Sequence, residues 1–204
     1  MAQFLKLLLG FAPWLSFMFI AQGSLFRLKL GLVVALALSV GMGVLRLSRG
    51  VILWAGLGFF GYATVAVLAF EHMWTVRYMG ILANGALALA TWVTLAAGRP
   101  FTLDYAKDHV PREQWTHPAF LRVNRILTSA WGATFTIGAL IAWLKMIVRV
   151  DPEWLYEVAN YSFMLGAMAF TSWYPAHLKA RRAAREAAEE AAAAQPADQE
   201  TRED

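Results

Sequence analysis

The sequence predicts an all-α membrane protein: a polytopic bundle of about six transmembrane helices with a cytoplasmic helical or disordered C-terminal tail. Three observations carry this. Of 204 residues, 59% are hydrophobic and only 16% charged, against about 45–50% and about 25% in a soluble domain. The apolar residues gather into runs near the roughly 20 residues that a membrane-crossing helix needs. The runs end abruptly near Pro175, where Lys179, Arg181, Arg182 and Arg185 begin a charged tail. The expected division is therefore a helix bundle over residues 1–177 and a cytoplasmic tail over 178–204.

The first run covers residues 4–22, interrupted by Lys6 and Pro13. The second, 30–45, is short, but Lys29 and Arg46 flank it and their stems can snorkel. The third, 51–70, carries no charge, and the fourth, 78–97, holds one strongly polar residue, Asn84. The fifth spans 126–148 with Lys145 near its end. The sixth, 154–175, is the most polar, with Glu157 and Asn160. None of these runs alternates like a barrel strand, and lipid offers the backbone no hydrogen bonds, so helices are expected throughout. In the tail, the Ala-rich stretch after Arg185 favours helix, and the polar composition from about residue 195 favours disorder.

Six spans place thirteen of the eighteen Lys and Arg residues on the side of the termini. The positive-inside rule then sets both termini in the cytoplasm of a bacterial inner membrane. Residues 21–23, Ala-Gln-Gly, would suit a signal peptidase, but the basic n-region is nearly absent and Pro13 interrupts the apolar stretch. A retained first helix is expected. The net charge of +4 reflects this orientation and not a nucleic-acid partner. Four tail cations lie close to the bilayer exit, so the expected partners are the lipid bilayer, including its anionic lipids, and other envelope membrane proteins.

With no Cys, disulfides, thiolate metal sites, iron–sulfur clusters and thiol catalysis are excluded. The longest connection, 98–125, holds Asp104, Asp108, His109 and His117. Asp104 and Asp108 are spaced to share a helix face, as metal ligands must. No known metal or catalytic motif accompanies them, and a short amphipathic helix in the headgroup region explains the loop more simply. No catalytic residue, metal or cofactor is expected. Asn84 and Asn160, with Glu157 near the boundary, are the intramembrane polar candidates; each Asn can line a polar path or bond a neighbouring helix. The glycines at 41, 43, 56, 58 and 61 suit close helix packing. The nine Trp read largely as an interfacial belt.

The chain resembles the intracellular septation protein A family of bacterial inner-membrane proteins. The resemblance rests on an early helix bearing Phe4, Phe11 and Pro13, and on a fourth helix with Trp92 that exits through Gly98-Arg99-Pro100. A polar loop with Trp115 and a fifth helix with Asn124 and Trp131 complete it. It covers most of residues 1–175 by pattern more than identity, and the segment 101–106 and the charged tail depart from it. The resemblance implies a non-enzymatic role in envelope maintenance, septation or elongation, exerted through contacts with other membrane proteins. The matched positions are Arg99, Pro100, Trp115, Asn124 and Trp131, and Asp104, Tyr105 and Arg125 are further contact candidates in the same loop region. Two other functions stay open: a small transporter or channel using Asn84, Asn160 and Glu157, and a lipid-modifying enzyme using the Asp and His residues of 98–125.

Overall fold

The computed structural model describes residues 9–47, 50–107, 110–148 and 154–200, with side chains up to 192. The start of the first expected span, and Asp108 and His109, lie outside the described residues. So do Lys6, Arg49, Arg149, Asp151, Glu153 and Arg202, on which the charge count partly rests.

Every described element is helical. Helix α1 runs Ala12–Ile20 with Pro13 in its first turn, where a missing N–H costs nothing. Ser24 caps α2, Leu25–Val44, its hydroxyl accepting the Arg27 N–H at 3.2 Å. Helix α3, Val51–Thr64, widens into a π-helical turn over Val65–Ala69. A short α4, Met73–Arg77, leads into α5, Met79–Ala96. Then come the five-residue α6, Thr102–Ala106, and a 3₁₀ turn at Arg112–Gln114. Helix α7, Pro118–Ile147, is capped by His117, whose Nδ1 accepts the Ala119 N–H at 3.2 Å. Helix α8 runs Trp154–Glu200, five residues past the point where composition alone suggests disorder.

Four of these helices are long and apolar enough to cross a membrane: α2, α3 with its π turn, α5 and α7. Helix α8 is long enough. However, Glu157, Asn160 and Tyr156, Tyr161 and Tyr174 make its first half more polar than the other four. Large apolar side chains lie bare along the four candidates, among them Phe26, Val44, Trp54 and Leu89, at 74%, 75%, 72% and 66% exposure. In water a surface of this kind would aggregate; lipid solvates it.

The chain forms two compact units, one ending at Ala167 and one beginning at Met168. Within the first, consecutive long helices pack antiparallel. Lys29 on α2 meets Glu71 beyond α3 at 3.7 Å, while a Cβ on Gly43 would touch Leu53 at 3.6 Å at the other end. Helix α5 pairs most extensively with α7. There Gly80 faces Ala142 and Gly132 faces Trp92, where a Cβ would sit 2.9 Å from the indole ring. Small residues let the helices close to contact distance, which replaces the hydrophobic drive that lipid removes.

Candidate functional site

The segment 98–125 is built in two halves with opposite surroundings. Helix α5 ends in a Schellman motif, with Gly98 at φ 71°, Arg99 N bonding Thr94 O at 2.9 Å and Gly98 N bonding Leu95 O at 3.0 Å. This turn and Pro100 send the chain back toward the helices it has just left. Helix α6 is consequently not a surface amphipathic helix. Phe101, Thr102, Leu103, Tyr105 and Ala106 are all buried, Phe101 to 1% exposure.

The burial has identifiable causes. Phe11 lies in contact with three rings, stacked on Trp131 at 5.2 Å, with Phe101 at 6.1 Å and Phe135 at 5.9 Å. The Tyr105 ring lies directly on Gly10, in space that any side chain there would occupy. The polar groups carried inward find partners on α7. Thr102 Oγ1 donates to the Asn124 carbonyl at 3.0 Å and lies 3.0 Å from Thr128 Oγ1. A hydroxyl has one proton, so Thr128 must be the donor to Thr102. Asn124 donates to Phe120 O at 2.9 Å, while its buried Oδ1 has no hydrogen-bond partner among the described residues.

Of the contact candidates, Pro100, Tyr105, Asn124 and Trp131 thus form one packed knot. Arg99, Asp104 and Arg125 stay exposed at its rim. Asp104 leans on Gly50, at the start of α3. Although the residue as a whole stays exposed, its carboxyl is partly covered where it meets Gly50; that desolvation raises it above the usual range, and the Lys107 charge opposes the shift. The second half of the segment is an open basic surface. Trp115 sits between two cations, Lys107 Nζ at 5.4 Å and Arg112 Cζ at 5.7 Å from the ring, and donates to Val110 O at 3.2 Å. Arg112, Arg122 and Arg125 are exposed on this half of the segment. Among the described residues no three His, Asp or Glu side chains gather as a metal site would require; His117 serves as the cap of α7.

The intramembrane candidates come together on a residue that composition did not single out. A Cβ on Gly138 of α7 would lie 2.5 Å from Asn84 Oδ1 and 3.0 Å from Asn160 Oδ1. The Asn84 amide donates to Gly80 O at 2.9 Å. Three helices therefore meet at one point, in space left by the missing side chain. Glu157 pairs with Lys145 at 3.1 Å where α7 ends and α8 begins.

At that same end, His72 is not a freely solvated residue. Its Nδ1 lies 2.8 Å from Thr75 Oγ1, which in turn lies 3.1 Å from Tyr62 OH. Thr75 is fully buried. Sequence reasoning missed this chain because Thr75 carries no charge, and it missed Gly10 and Gly138 because a glycine's use depends on what approaches it. Lys179, Arg181, Arg182 and Arg185 are all exposed on the second unit. No protein-family model matches the chain, and neither does any curated protein or solved structure.

Proposed function

We propose that this protein works by contact and not by catalysis, as a six-pass bacterial inner-membrane scaffold with both termini in the cytoplasm. In this reading residues 4–22 and 154–175 add two spans to the four helices already apolar enough to cross. The role in septation or envelope maintenance is the one implied by the resemblance to the intracellular septation protein A family. The observation that supports a contact role is the division of 98–125. Its first half is committed to the core through Phe101, Thr102 and Tyr105, which holds the second half, with Trp115, Arg122 and Arg125, in a fixed place on the surface. A half-buried Trp flanked by cations, with further exposed Arg on the same segment, is the composition of an interaction hot spot.

The test is photo-crosslinking in native membranes with a reactive residue at Arg122 or Trp115, and at Thr102 as a buried control. Discrete protein adducts at 115 and 122 but not at 102 are expected. Adducts absent at all three positions, or equal at all three, would overturn the contact reading. Cytoplasmic reporters fused after Lys107 and Asp204 should be active, and one fused after His72 should be silent; activity at His72 would break the six-span topology.

A further inference from the structure

From Met168 onward, helix α8 sorts its side chains by chemistry around the axis. At about 100° per residue, Phe170, Trp173, Tyr174, His177, Arg181 and Arg185 fall within one arc of roughly 120°. Glu186 and Glu190 fall on the far side, together with Lys179 and Arg182, and Glu189 lies just outside the arc, one turn beyond Arg185. The rings in the first arc are ordered. Phe170 stacks on Tyr174 at 5.1 Å with 21° between planes, and Trp173 on His177 at 4.7 Å with 18°. Trp173 is 56% exposed, and residues 181–192 are exposed throughout. The result is a continuous stripe with rings at one end and two guanidinium groups at the other.

We propose that this stripe docks onto the anionic headgroups of a phospholipid bilayer, with Arg181 and Arg185 on phosphate oxygens and the rings at the interface. The proposal deepens the lipid contacts of the proposed function and rests on the reading that this segment lies beside a membrane. Net charge is not what drives the docking. Across residues 179–190 four cations face three carboxylates, so an unpatterned segment would be drawn only weakly to any polyanion. The ring-bearing arc holds two guanidinium groups and none of the carboxylates, while the far side carries both signs, and this gives the attraction a direction. The rings at the head of the stripe select a bilayer over a soluble polyanion, because Trp and Tyr settle at the level of the headgroups. Arginine adds planar, paired donors that match phosphate oxygens. Lys179 and Arg182, equal in charge but on the far face, have no part in it.

The absence of Cys from the chain makes a clean test available. Ala184 lies near the middle of the stripe and Ala183 on the far side, so Ala184→Cys and Ala183→Cys each place a single fluorophore. The full-length protein is reconstituted in vesicles of phosphatidylcholine alone or mixed with phosphatidylglycerol, and quenching by acrylamide is measured. Protection at 184 but not at 183, only with phosphatidylglycerol, is the expected result. Arg181→Gln with Arg185→Gln should abolish it, the docked-to-free ratio falling about fivefold per arginine removed. Lys179→Gln with Arg182→Gln, removing the same charge, should leave it intact. Equal quenching at the two positions, equal effects of the two double variants, or protection in phosphatidylcholine alone would each overturn the proposal. Protection produced in phosphatidylcholine by added polyglutamate would assign an acidic protein instead and overturn it too. A reporter at Asp204 that reads the outer side would defeat the proposed topology while leaving the docking result intact.

Discussion

The two ends of the helix bundle in the first unit are closed by different physics. At the end that holds α6, closure is a plug of rings and hydroxyls: Phe11 against Phe101, Trp131 and Phe135, Trp131 also against Phe135, with Thr102 tied to Asn124 and Thr128. At the other end, beside the buried Thr75, the helix ends are bridged by ion pairs open to water. Lys29–Glu71 and Lys145–Glu157 bridge helix ends at 3.7 and 3.1 Å with partly exposed side chains. Buried packing is rigid and costly to disturb, whereas exposed ion pairs contribute little and exchange readily with water. The contrast points to a bundle that is held at the α6 end and gives way first at the ion-paired end.

This contrast can be broken by substitution. The largest effect is expected at the plug: Trp131→Ala or Phe101→Ala should cost about 3–5 kcal/mol of stability, measured by reversible unfolding in mixed micelles. A loss below 1 kcal/mol at both would show that α6 only rests on the bundle. Between the ends, Gly138→Ala should cost about 1–3 kcal/mol by forcing a methyl against Asn84 and Asn160. Adding Asn84→Ala should recover part of that loss, since the two changes meet at one point.

Thr102→Val should cost about 1 kcal/mol, because Thr128 loses its acceptor in a buried place. Glu157→Gln should cost about 0.2–1 kcal/mol, and the difference should fade in high salt. An effect there as large as at Trp131 would erase the distinction between the ends.

Asp104, at the rim of the plug, gives the comparison a pH dependence. Its carboxyl is raised by burial, with Lys107 opposing. A raised folded value means that the favourable state is the protonated one. Its contribution is complete below the ordinary carboxylate range and is lost as pH rises through the folded value. Asp104→Asn should therefore match the parent in acid and exceed it in stability at neutral pH. A gain comparable in size to the loss at Glu157 is expected at Arg46, which closes α2 with φ 54°, a left-handed conformation that burdens any residue with a Cβ. Arg46→Gly should raise stability by about 0.5–1 kcal/mol.

Much of the scaffold was legible in the sequence, because a long uncharged run such as 51–70 has few physical options. The helices α2, α3, α5 and α7 lie close to where apolarity places them. Segment 98–125 was legible only as a long polar connection. Phe101 and Tyr105, four residues apart, suit an interfacial helix as well as a buried one, and the choice is made by Gly10 and Thr128, which are distant in sequence. Asn84 and Asn160 could be picked out as polar residues at depth. Their meeting at Gly138 could not, because it depends on the register of three helices, and no single run encodes that.

The hydrogen-bonded chain at His72 has a consequence of its own. Thr75 has one proton to share between His72 at 2.8 Å and Tyr62 at 3.1 Å. With a bare Nδ1, the imidazole accepts from Thr75, which accepts from Tyr62, so both hydroxyl dipoles point toward the ring. With a proton on Nδ1 the ring donates to Thr75, which can then either donate to Tyr62 or accept from it as well. Tyr62 lies on α3 and His72 beyond its end, so the tautomer of the ring and the hydrogen bonding of a hydroxyl on the helix are tied together. Two hydrogen bonds, with Thr75 between them, thus join the body of α3 to the loop that follows it.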